Sequence, residues 1–204
     1  SVRQQLTGEN PMIVVALKSE IQNCVIENFS VLITGMGLLP AYSTTFDALT
    51  RERPSYVINM GSAASVSQDV HIGEIVTPSS IHLHPLMSVS DQISKEGVDL
   101  ENVPVPIQVP CLPSLAHYKK INLSSGDVFV TADNLNTLGE IDSIQAVDME
   151  AYAVALACKM LNIPFYCIKY ISDHVLNGTS ESQWSDTLRQ VSCALSNVAM
   201  SELK

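Results

Sequence analysis

Charged residues are scarce in this 204-residue chain. Asp, Glu, Lys and Arg make up only 16% of it, against roughly 25% in an average soluble protein. Positive charge is the scarcer sign, with 11 Lys and Arg against 21 Asp and Glu and a formal net charge of −10. An electrostatic hold on DNA or RNA needs a basic stripe. None is present, so nucleic acid is excluded as a partner. Apolar runs such as residues 13–17 fall far short of the ~18–20 residues that span a bilayer, which argues against a membrane. Residues 1–11 are polar and lack the apolar core of a signal peptide. They read as an extension outside a single domain over 12–204. The five cysteines, Cys24, Cys111, Cys158, Cys167 and Cys193, are odd in number and form no C-x-x-C pair. A zinc site or disulfide framework is therefore disfavoured. They are expected to be reduced, mostly buried thiols of a cytoplasmic protein.

What the chain has in quantity is apolar residues, 46% of the total. That excludes a disordered polymer and suits one α/β-sized core. It also leaves too little charge to cover the surface, so some apolar surface is expected to meet another subunit. Short β-branched runs at 13–17, 31–34, 56–59, 74–77, 121–123 and 165–171 read as strands. Residues 44–53, 146–161 and 185–203 read as helices, the last two with apolar positions three and four apart. Continuously apolar strands separated by helices predict a mostly parallel, twisted sheet flanked by helices. The stretch 88–115 holds Pro104, Pro106, Pro110 and Pro113 and reads as an excursion over the surface. No internal repeat is visible.

Open α/β sheets gather ligands beyond the carboxyl ends of their strands, so the residues following each strand matter most. Glu20 follows the first strand, Gly35-Met36-Gly37 the second and Met60-Gly61-Ser62-Ala63 the third. Later come Ser125-Gly126-Asp127, Val147-Asp148-Met149-Glu150-Ala151 and Ile171-Ser172-Asp173. Three carboxylates, Glu20, Glu150 and Asp173, thus fall where a sheet could collect them. The glycine pattern is not that of a dinucleotide site: Pro40 stands where the third glycine of G-x-G-x-x-G belongs, which argues against a NAD-binding oxidoreductase.

Those motifs, together with Asp69-Val70-His71-Ile72-Gly73-Glu74-Ile75-Val76, occur in an order that resembles the purine nucleoside phosphorylase/uridine phosphorylase superfamily. The branch most resembled is that of the methylthioadenosine/S-adenosylhomocysteine nucleosidases and their futalosine-pathway relatives. The likeness runs from about Ile13 to Trp184. It implies that Asp173 gives a proton to purine N7 and that Glu20 activates the attacking water. It implies that Glu150 hydrogen-bonds the ribose hydroxyls and that Met149 lies under the sugar. Phe129 would stack on the base, Val130 would read the purine edge through its backbone, and Ser172 and Ser62 would be polar supports. No metal and no organic cofactor is implied; with the low charged fraction, the resemblance implies a homodimer.

The chemistry asks for these residue types in its own right. Cleaving an N-ribosidic bond builds positive charge on the sugar and negative charge on the base. An acid over N7 drains the second, and carboxylates near the ribose stabilise the first. Asp173 would then have to act protonated, through burial or a neighbouring acid, and Glu20 ionised. Each residue also has a plainer reading. Asp173 could cap a following helix, Glu20 could serve a helix dipole in its first turn, and Phe129 and Met149 could be core. Trp184, the only tryptophan, suits a pocket wall or an apolar patch equally. His82, His84 and His174 are expected at the surface or an interface.

Lys169 stands where the adenosine nucleosidases resembled here usually carry arginine, a point charge in place of a fork. The stretch after Val76 lacks several residues of their substrate flap, which leaves the 5′-substituent open. Phosphorylases of the superfamily hold phosphate with arginines in the glycine-rich loops. The arginines here are Arg3, Arg51, Arg53 and Arg189, none in those loops, and Glu20 would repel a phosphate dianion. The expected activity is therefore hydrolysis of a 5′-modified adenosine: methylthioadenosine, S-adenosylhomocysteine, aminodeoxyfutalosine or futalosine. Phosphorolysis, with Lys18 as the nearby cation, and a non-catalytic nucleoside-binding protein are the alternatives.

Overall fold

The computed structural model describes residues 10–84, 105–138, 143–178 and 180–203. The apolar run after Asn10 forms β1 (Pro11–Val15), buried along its whole length. Met12 and Val14 enter one hydrophobic cluster, Ile13 and Val15 another, as the two-residue period of a strand requires. Burying such an aliphatic side chain is worth about 1.5–3 kcal/mol, so a strand apolar on both faces is driven to the centre of the molecule. β2 (Ser30–Ile33) and β3 (Tyr56–Ser65) flank it, both parallel.

β4 (Ile75–Leu83), β5 (Ile107–Gln108), β6 (Lys119–Ser125), β7 (Ala146–Asp148) and β8 (Phe165–His174) complete an eight-stranded mixed sheet. Its order is β2-β1-β3-β7-β6-β4-β5, with β8 lying between β3 and β4. Since β8 pairs with both, strands β3, β7, β6, β4 and β8 close into a ring. α1 (Asn23–Asn28), α2 (Leu38–Glu52), α3 (Ala151–Met160) and α4 (Ser180–Glu202) cover the sheet. α2 and α3 pack together over one cluster, while α4 lies along β8 over the other. This is the α/β architecture that the sequence implied. No described helix is long and apolar enough to cross a membrane.

Three elements differ from expectation. The helix expected over 146–161 is β7 followed by α3. Residues 146–148 are fully enclosed between β3 and β6, so ladder bonds on both edges outweigh helical periodicity. The Asp148 carboxylate then accepts the Ala151 N–H at 2.9 Å, starting α3 as a helix cap would. α2 begins well before residue 44, at Leu38. Pro40 does not prevent this, because a first-turn residue has no helical partner for its N–H. β5 pairs antiparallel with β4 and so draws part of the 88–115 stretch into the sheet; residues 88–104 lie outside the described ones.

Candidate active site

β1 delivers the chain to a short 3-10 turn, Lys18–Glu20, that folds Glu20 back over the strand end. Its carboxylate is 4% exposed and acts as an acceptor at both oxygens. Leu17 N–H donates to Oε2 at 3.0 Å. On β3, Ser62 donates to Oε1 through its N–H at 3.1 Å and its hydroxyl at 3.3 Å. Gly61 makes this approach possible: a Cβ there would lie 3.0 Å from Glu20 Oε1 and 3.3 Å from Lys169 Nζ. Any larger residue would push both groups away.

Asp173 reaches the same place from β8. The β3–β8 register pairs Ala63 with Ile171 but Ala64 with Asp173, so Ser172 is the extra residue of a bulge. In a regular strand successive side chains face opposite ways. The bulge breaks that alternation and lets Ser172 and Asp173 both line one cleft. Ser172 Oγ donates to Asp173 Oδ1 at 2.6 Å, and the Asp173 side chain lies in a residue only 2% exposed. α4 fastens the bulge: Thr187 Oγ1 donates to Ser172 C=O at 3.1 Å, and His174 N–H to Gln183 Oε1 at 3.1 Å. Asp173 is thus a residue of the strand itself and not a helix cap.

β7 brings in the third carboxylate. Met149 and Glu150 follow it directly, just before α3, and Glu150 Oε1 accepts the Gly37 N–H at 3.0 Å. Behind Glu150 lies an ion pair, Lys169 Nζ to Asp148 Oδ2 at 3.0 Å, with both side chains 1% exposed. Ser125 Oγ donates to Asp148 Oδ1 and accepts the Tyr152 N–H at 3.0 Å. Burial pushes the Glu150 carboxyl up and Asp148 adds to this, while Lys169 and the Gly37 N–H pull it back; it settles at about 7. Burial works against the Lys169 charge, yet Asp148 and the acids beyond it hold the ammonium above its usual range.

The loop after β6 supplies Phe129 and Val130. Asn134 braces it, donating to Phe129 C=O at 2.9 Å and accepting the Thr131 N–H at 2.7 Å. The Phe129 ring meets Trp184 of α4 edge to face, centroids 6.3 Å apart at 74°. Trp184 Nε1 in turn donates to Ser62 Oγ at 3.0 Å. Glu20, Ser62, Phe129, Val130, Met149, Glu150, Ser172 and Asp173 all line one open cleft, and Trp184 closes one wall. No lysine or arginine is among its described lining residues, and Lys18 is exposed outside it.

Residues 25–202 match the family model of the phosphorylase superfamily. The chain belongs to that superfamily. A member named 5′-methylthioadenosine/S-adenosylhomocysteine nucleosidase, from Bacillus cytotoxicus, is 25% identical over 184 residues, covering 85% of this chain and 79% of the relative. One of the same name from Staphylococcus aureus strain JH9 is 26% identical over 191 residues, with 84% and 80% covered. Among solved structures, the Helicobacter pylori nucleosidase of that name, bound to butyl-thio-DADMe-Immucillin-A, has a TM-score of 0.79 at 18% identity. It covers 96% of this chain and 97% of its own. A Francisella philomiragia structure described as a putative nucleosidase of this kind has a TM-score of 0.81 at 16% identity. These structures share the fold of this chain.

Against this superfamily framework, several side chains stand where the sequence did not place them. Asp148 and Ser125, which bond to each other at the ends of β7 and β6, stood in the motifs read from the sequence but were given no role there. His84 and His174 are 1% and 3% exposed and not on the surface. His84 Nδ1 bonds Ser124 Oγ at 2.7 Å, and its ring covers Gly126, where a Cβ would meet Nε2 at 2.4 Å. Burial pushes this imidazole down, opposed by Asp148. His174 Nε2 pairs with Ser67 C=O at 2.9 Å. All five cysteines are free, but only Cys158 and Cys167 are buried, while Cys24 and Cys193 are exposed. Helix amphipathicity explains the last: Cys193 lies on the outer face of α4, next to the buried Val191 and Leu195.

Proposed function

We propose that the chain hydrolyses the N-ribosidic bond of a 5′-modified adenosine and releases adenine. The observation that carries this reading is the meeting, in one cleft, of a firmly hydrogen-bonded carboxylate, Glu20, with Asp173 on the β8 bulge and an aromatic wall. The base would lie against Phe129 and Trp184, its edge along the Val130 backbone. Glu150 would accept the ribose hydroxyls over Met149. As the C1′–N9 bond breaks, Asp173 gives its proton to N7, and the departing electrons are held on a neutral base. Water attacks C1′ and passes a proton to Glu20. The positive sugar develops among carboxylates, an arrangement that favours it electrostatically. Ser62 and Ser172 orient the two acids.

Water is the acceptor that this cleft suits. Glu20 opposes a phosphate dianion at the same place, and the described lining contributes no cationic side chain to offset it. The relatives' names give methylthioadenosine and S-adenosylhomocysteine as first candidates, with aminodeoxyfutalosine and futalosine as further ones. A second copy of the chain is proposed to cover the apolar surface of Met36, which lines the cleft, and of Leu39, the two standing 44% and 76% exposed. Chromatography of the products from all four nucleosides, with and without phosphate, tests the reading. Free adenine or the corresponding free base, at a rate indifferent to phosphate, is expected. Ribose 1-phosphate would overturn the hydrolase assignment, and binding without turnover of any of the four would overturn the enzyme.

A further inference from the structure

Two of the cleft's acids are held very differently. Glu20 accepts hydrogen bonds from the Leu17 N–H and from both the N–H and the hydroxyl of Ser62. The Glu150 carboxylate has one among the described residues, from the Gly37 N–H at 3.0 Å. Its aim therefore depends on where Gly37 stands. Gly37 ends a short loop between β2 and α2 in which Gly35 and Gly37 have φ of 84° and 99°. Glycine enters that region at little cost and leaves it as easily, so the loop does not fix itself. Met36, between the two, lines the cleft. α2 cannot cap its own start either: Gly37 has no side chain to offer, and the first turn holds no acid.

The missing cap comes from the loop after β6. Asp127 Oδ1 accepts the Leu38 N–H at 2.6 Å, a short charge-assisted bond, and lies 3.0 Å from the point where a Gly37 Cβ would be. Two consecutive N–H groups at the start of α2 are thus taken by two carboxylates from distant parts of the chain. Asp127 is itself exposed and is not among the described residues lining the cleft. Its route into the site is the peptide that joins Gly37 to Leu38. We propose that Asp127 is a positioning residue: by holding the Leu38 N–H it fixes the Gly37 N–H, and so aims the Glu150 carboxylate at the sugar hydroxyls. The proposal rests on the reading that Glu150 binds those hydroxyls. Because Asp127 stands two residues before Phe129, the same bond ties the loop of the base wall to the sugar side.

The test uses the full chain with Asp127→Ala, which removes the acceptor, and Asp127→Asn, which keeps it. The first readout is the Gly37 amide resonance in NMR, identified with the help of its displacement in Glu150→Ala. Asp127→Ala should move that resonance toward its Glu150→Ala position, and Asp127→Asn should leave it near the parent's. An unmoved resonance in Asp127→Ala, or an equal displacement in Asp127→Asn, overturns the proposal. The second readout is calorimetric affinity for two probes. One is the 9-deaza analogue of methylthioadenosine, whose carbon link to the sugar resists hydrolysis; the other is 9-deazaadenine, which has no sugar. Asp127→Ala should weaken the nucleoside about tenfold, the scale of a lost helix cap, and the base less than about twofold. It should add nothing in a Glu150→Ala background. Equal losses for both probes, as from a cap that merely stabilises α2, or an undiminished loss in the Glu150→Ala background, overturn it. If the resonance moves as expected but Glu150→Ala leaves nucleoside affinity unchanged, the positioning of Glu150 stands, and its assignment to the sugar is what falls.

Discussion

On one side of the cleft, Glu20 and Glu150 each accept backbone N–H groups, and Lys169 is paired with Asp148. On the other, Phe129, Val130 and Trp184 enclose space with apolar surface, and α4 clamps the bulge that carries Ser172 and Asp173. The difference matches what bond cleavage would ask of each side. A developing cation is stabilised by fixed negative charge, whereas an acid that must carry its proton is served by burial. The first side is built by strand ends converging from β1, β3, β7 and β8. The second depends on one irregularity in β8 and on one helix laid across it.

The sharpest way to break the comparison is to disable one acid on each side. Asp173→Asn keeps the shape but carries no proton for N7, so kcat should fall ~10²-fold or more. Affinity for an adenosine analogue, measured calorimetrically, should change far less. Glu20→Gln should lower kcat by a comparable factor in single-turnover kinetics while adenine still binds. A near-normal kcat in either variant removes that residue from the mechanism.

Glu150 sharpens the contrast through stability. Its carboxyl holds a proton up to about pH 7 in the folded chain, against an ordinary 4.5. The folded state thus binds more protons across that window. The resulting contribution is complete below about pH 4.5 and is lost as pH rises through 7. Glu150→Gln, which cannot lose a proton, should gain stability relative to the parent as pH rises over that window, by up to about 3 kcal/mol. Urea unfolding at pH 5 and pH 7.5 measures it, and a difference that shrinks with pH would contradict the assignment.

Smaller effects belong to the apolar side. Trp184→Phe removes the hydrogen bond to Ser62 Oγ and alters the contact with Phe129, changes worth about 0.5–1.5 kcal/mol each. KM should rise about three- to tenfold with kcat little changed. A large fall in kcat instead would mean that Trp184, acting through Ser62, governs Glu20.

The strands were legible because residues buried on both faces are continuously apolar, as in 13–15, or nearly so, as in 165–171 with Lys169 as the exception. Most of the residues placed in the cleft were legible because each stands in a recognisable motif at or near the end of a strand. β7 was not, since three enclosed residues carry no periodicity and only pairing with β3 and β6 makes them a strand. The ends of β3 and β8 were also hidden, because Gly61 to Ser65 and Ser172 to His174 have side chains that no β propensity would select.

The amino-acid order by itself determined the alternation of strands and helices, the superfamily motifs, and which carboxylates stand at strand ends. Those are local properties, written in composition and spacing. Only the tertiary structure decided that Ser172 and Asp173 face the same way, that Trp184 reaches Ser62, and that Lys169 lies against Asp148 under Glu150. Register, bulge and burial are set by contacts between segments far apart in the chain. The electrostatics of a buried group follow from those neighbours and not from its place in the sequence.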